Sequence, residues 1–119
     1  MKHITKIQIM AFAVILIVNC LNLKSQDTAS VIFSEVKIKT SAQCEMCKER
    51  IEKAMSKTEG VAKSDLDVDT KILTVHYDSV LINPEEIRKV ISKTGYDADD
   101  VPANEKAYKK LPKCCQKPE

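Results

Sequence analysis

The chain has 119 residues, of which 30% are charged and 4% aromatic, and a formal net charge of +2. That length allows one domain plus whatever is trimmed from it. No basic patch or aromatic stacking surface stands out, which argues against a nucleic-acid partner.

The N-terminus reads as a targeting segment rather than fold. Lys2, His3 and Lys6 precede an unbroken apolar run from Ile9 to Val18, after which Asn19 and Asn22 intervene. The run is far short of the ~20 apolar residues of a spanning helix. A secretory signal over residues 1–25, cut after Ser25, is therefore expected, with an exported, periplasmic or secreted product. An uncleaved membrane anchor and lipidation at Cys20 are the alternatives. Without Lys2, Lys6 and Lys24 the remainder carries a net charge of about −1.

After a polar lead-in, "VIFSEVKIKT" alternates, with Ile32, Val36 and Ile38 on one face and Glu35, Lys37 and Lys39 on the other. This predicts a half-buried strand. From Cys47 the period becomes helical: Cys47, Ile51, Ala54 and Met55 share one face, and Gly60 is expected to stop the helix. "VAKSDLDVD" alternates again, Asp69-Thr70 turns the chain, and "KILTVHYD" places Leu73, Val75 and Tyr77 together. Asn83 then caps a second helix with Pro84 at its first position. Ile87, Val90, Ile91 and Thr94 form its apolar stripe, and Gly95 ends it. "YDADDV" can supply a short edge strand.

The order β-α-β-β-α-β over Val31 to Val101 predicts an α+β, ferredoxin-like fold, with two helices on one face of a four-stranded antiparallel sheet. The folded part is expected over residues 31–103. Residues 104–119 form a charged, cysteine-containing tail without a sustained apolar period, expected outside the core, with Tyr108 and Leu111 as the residues that could dock on it, and mobile beyond Pro112.

The chemistry lies in "TSAQCEMCKERIEKAM", where Cys44 and Cys47 fall at the passage from strand to helix. Three readings compete: a disulfide staple, a redox couple, or two thiolates for a soft metal. A disulfide this local closes a very small loop and constrains the unfolded chain little. The positive end of a helix favours thiolate, the form that binds metal, and paired thiolates suit Cu(I). Met46 and Met55 read as packing residues, His76 as a solvated side chain, and Asp97, Asp99 and Asp100 as a solvated edge. Cys114 and Cys115 could add thiolates to the first pair, giving a site that would also admit Zn(II), form a separate site, or bridge to Cys44 and Cys47 when oxidised.

The segment Val36 to Val101 resembles the heavy-metal-associated domain of copper chaperones, of copper-pumping ATPases and of periplasmic mercury-binding proteins. The resemblance rests on the C-x-x-C after the first strand, Gly60-Val61, "VDTKILTVHYD" and "TGYDA". It implies that Cys44 and Cys47 bind Cu(I) or Hg(II) and that Tyr96 sits near the metal loop; with no nucleophile–base pair, phosphate loop or carboxylate dyad in the sequence, the chain is expected not to be an enzyme. It also implies a metal-transporting membrane protein with a matching C-x-x-C as partner. Where the family usually carries Met two residues before the first cysteine, this chain has Ala42, which predicts a less firmly anchored loop. A thiol–disulfide oxidoreductase using Cys44 and Cys47 is the alternative function.

Overall fold

A computed structural model describes residues 32–119. The expected signal over residues 1–25, Cys20 included, lies outside the described residues.

Alternation yields three strands: β1 (Phe33–Lys39), β2 (Val61–Asp67) and β3 (Ile72–Asp78). They form one antiparallel sheet in the order β1-β3-β2, with Val36 opposite Val75 and Leu66 opposite Leu73. The central strand β3 buries Leu73, Val75 and Tyr77, as its pattern predicts. On β1 only Ile38 is fully buried; Val36 is half-buried and Ile32 lies exposed at the start of the strand. The period of two holds there, but the core does not reach that end.

Helix α1 (Glu45–Ser56) buries Cys47, Ile51 and Met55, and packs on β2 and on helix α2 (Pro84–Thr94). It stops at Ser56 with Lys57 as its C-cap, so Gly60 does not end it. Gly60 instead supplies a φ of 90° in the turn into β2. Helix α2 has the expected N-terminus: Asn83 accepts from the Glu86 N–H, and the Glu86 carboxylate accepts from the Asn83 N–H. This capping box satisfies two donors that would otherwise be orphaned. Ile87 and Ile91 are its fully buried residues, and Gly95 caps its end with a φ of 108°.

The expected fourth strand is reduced to isolated bridges, Thr40 to Ala98 and Ala98 to Val101. They sit beside β1, the edge a fourth ferredoxin-like strand would occupy. Asp99 takes the place of a ladder there. Its N–H donates to the Lys39 carbonyl at 2.8 Å, and its Oδ1 accepts from the Lys39 N–H at 2.9 Å. Asp99 has a φ of 51°, which turns the chain away from strand geometry. Asp99 and Asp100 are exposed, as expected of a solvated edge, but Asp99 also ties this edge to β1, and half-buried Asp97 accepts from the Ala103 N–H.

The tail departs from expectation beyond Pro112, where it is ordered and Cys115 is buried. It forms a short helix, α3 (Glu105–Lys109), capped by the Asn104 side chain, and a 3-10 turn at Lys113–Cys115. Leu111 and Cys115 join the core, and Tyr108 packs against it. Among the described residues no helix is long and apolar enough to cross a membrane.

Candidate metal centre

Cys44 is the N-cap of α1, and its backbone carbonyl accepts from the N–H groups of Cys47 and Lys48. Its side chain makes no capping hydrogen bond, which leaves the thiol free at the helix start. Cys47 lies in the first helical turn and is fully buried, whereas Cys44 is half-buried. Their Sγ atoms are 3.4 Å apart.

Hydrogen bonds hold the loop before Cys44, and they do so without the methionine of the family pattern. Ala42 is fully buried and its N–H donates to Thr40 Oγ1. Ser41 Oγ accepts from the Asp97 N–H at 2.9 Å, and Lys71 Nζ donates to Gln43 Oε1. The anchoring expected to be lost with a smaller side chain is supplied by neighbouring segments.

The two tail cysteines differ in burial although their Sγ atoms are 3.9 Å apart. Cys115 is 1% exposed and brings its Sγ to 3.8 Å from that of Cys44. The Sγ atoms of Cys44, Cys47 and Cys115 all lie within 4.8 Å of one another. Cys114 stays exposed, its Sγ 3.8 Å from the Met46 sulfur. Met46 is 47% exposed at the rim of the site and is not a packing residue; Met55 is.

Tyr96 lies behind the thiols. Its side chain is fully buried, and its hydroxyl has no hydrogen-bond partner among the described residues. Burial, and then the adjacent Cys47 and Cys115 thiols, push its pKa upward. Burial likewise pushes the Cys115 thiol up, to about 12, with Cys47 and Cys44 adding to the shift and Tyr96 opposing it. A thiol so placed stays protonated until something stabilises its anion, and a bound cation does so.

The tail is pinned on both sides of Cys115. Gln116 Nε2 donates to the Leu111 carbonyl, the Lys117 N–H donates to the Tyr108 hydroxyl, and Lys117 pairs with Asp97. Tyr108 and Leu111 were legible as docking residues, and the spacing that extends the stripe to Cys115 was obscured by Pro112.

The pattern of the heavy-metal-associated domain matches residues 40–97. Over 54 residues the chain is 32% identical to the copper chaperone CopZ of Staphylococcus haemolyticus, a match spanning 45% of this chain and 79% of that protein. The chain belongs to the heavy-metal-associated domain family. It is also 37% identical over 65 residues to heavy metal-associated isoprenylated plant protein 35 of Arabidopsis thaliana, covering 55% of this chain but 17% of the plant protein. Among solved structures, oxidized MerP from Ralstonia metallidurans superposes with a TM-score of 0.54 at 26% identity, over 56% of this chain and 94% of that one. The family pattern includes Cys44, Cys47 and Tyr96 and ends before Cys114 and Cys115.

Proposed function

We propose that this protein is a metal carrier that binds Cu(I) through Cys44 and Cys47 and passes it on by thiolate exchange outside the cytoplasm. The observation that carries this reading is the pair of sulfurs 3.4 Å apart at the uncapped start of α1. Two soft ligands at a half-buried rim suit a soft ion and leave room for an incoming thiolate. As that thiolate bonds to the metal, one protein sulfur leaves, so the ion is never free. Relatives named as a copper chaperone and as a copper-exporting P-type ATPase support copper over Hg(II) or Zn(II). A membrane metal transporter with its own thiol pair is the matching recipient, and the apolar segment Ile9 to Val18 supports export.

Competition for Cu(I) against a strong chelator, under reducing and air-free conditions, tests the site. Cys44→Ser and Cys47→Ser should each lose tight binding while the far-ultraviolet circular dichroism stays that of the parent. If both variants compete as well as the parent does, the site is elsewhere. The oxidoreductase alternative makes the opposite claim: disulfide reduction that copper does not inhibit.

A further inference from the structure

The family pattern accounts for two of the three thiols that meet at this site. What the third does can be argued from geometry. An ion about 2.3 Å from two thiolates in a line sets the sulfurs about 4.6 Å apart, and three in a plane sets them about 4.0 Å apart. Cys44 and Cys47 at 3.4 Å are well short of the linear spacing, while Cys44 and Cys115 at 3.8 Å are close to the trigonal one. Cys47 and Cys115 lie within 4.8 Å of each other, and a trigonal site needs the first pair to open by about 0.6 Å where a linear one needs about 1.2 Å.

A second observation is independent of the sulfur spacing. The Tyr96 hydroxyl is fully buried, makes no hydrogen bond of normal geometry among the described residues, and lies beside the Cys47 and Cys115 thiols. Buried donors are rarely left so. A metal-bound thiolate is a stronger acceptor than a neutral thiol, and it would take that hydrogen bond. The bonds from Gln116 and Lys117 keep Cys115 at this place rather than sweeping past it.

We propose that Cys115 is a third protein ligand, completing with Cys44 and Cys47 a three-sulfur Cu(I) site into which Tyr96 donates a hydrogen bond. This rests on the reading that Cys44 and Cys47 bind the ion. Its functional consequence is retention. The third coordination position, which an incoming partner thiolate would use, is already filled from within the chain. In transfer the bond from copper to Cys115 breaks as the bond to the partner's sulfur forms, and the proton lost by the partner's thiol is taken up by Cys115. Cys114 lies outside the group of three: it is exposed, with its Sγ 3.9 Å from that of Cys115 and 3.8 Å from the Met46 sulfur.

X-ray absorption on the reduced full-length chain, loaded with one equivalent of Cu(I) and with Cys20 replaced by Ser throughout, counts the sulfurs. Three are expected in the parent and two in Cys115→Ser. Release to a copper chelator should be at least ten-fold faster in Cys115→Ser. A double variant, Cys114→Ser with Met46→Leu, removes the other nearby sulfurs. Three ligands in that variant assign Cys115 even if Cys115→Ser fails to fold. A copper-loaded parent with two sulfurs overturns the third ligand and leaves the two-cysteine carrier standing. A parent that binds no Cu(I) overturns both.

Discussion

Lys39 and Asp99 are joined by two hydrogen bonds, one through backbone alone and one through the Asp99 carboxylate. The other carboxylate oxygen accepts from Arg88 Nε at 2.9 Å. Burial works to raise the Asp99 pKa, but the Arg88 guanidinium and the Lys39 N–H outweigh it and hold it below the usual carboxylate range. A depressed native pKa means stability that is present above the unfolded value of about 3.9 and is lost as pH falls through the native one. Asp99→Asn, which tolerates the positive φ, should therefore cost about 1 kcal/mol at pH 7. The gap between variant and parent should narrow towards zero on acidification below that value. Urea titrations at pH 7 and pH 3 measure it, and a gap that is constant with pH refutes the assignment.

Gly95 has a φ of 108°, and a Cβ there would stand 3.1 Å from the Ala107 carbonyl carbon and oxygen. The obstacle is backbone of α3, which cannot swing aside as a side chain can. Gly95→Ala should cost roughly 1–3 kcal/mol through strain and displace the tail. Its specific signature is faster alkylation of Cys115. A variant that loses stability while Cys115 stays as protected as in the parent would place the strain within α2 alone.

Cysteine labelling of the reduced, metal-free chain should follow burial. Cys114 reacts first, because it is exposed, and Cys115 is slow, being 1% exposed with a thiol pushed up to about 12. At pH 8 that thiol is almost wholly protonated, and the thiolate is the nucleophile. Mass spectrometry after brief alkylation reads the order; equal rates at Cys114 and Cys115 would mean that the tail is undocked in solution.

The two helix stripes, the alternation of β3 and the capping of α2 were all legible in the sequence, because each is a local pattern with one period. Ile87 and Ile91, or Leu73 and Val75, state their burial by spacing alone. The edge beside β1 was not legible: the residue that completes it, Asp99, acts through its side chain and a left-handed φ, which period-two reasoning does not register. Cys44 and Cys47 announce themselves by spacing, but Cys115 does not. Its approach depends on Leu111 docking across Pro112 and on the Lys117–Asp97 pair, contacts between segments that no local window contains.

Tyr96→Phe should have effects of opposite sign in the two states. In the metal-free protein it removes an unpartnered buried hydroxyl, so stability should rise by about 1 kcal/mol. In the copper-loaded protein it removes the donor to a thiolate, so release should quicken. Denaturant unfolding and chelator competition report the two separately. A loss of stability in the metal-free form would show that the hydroxyl already has a partner.

Cys44 and Cys115 stand 71 positions apart in the chain, against three for Cys44 and Cys47. An ion gripping only the close pair ties a knot too small for the denatured chain to feel. One gripping Cys115 as well would close a ring around nearly the whole domain, a difference of about 3 kcal/mol in chain entropy at 25 °C. A molecule that keeps its ion while melting is then confined to that ring, and one that escapes the ring must let the ion go. Cargo release and loss of structure would become coupled.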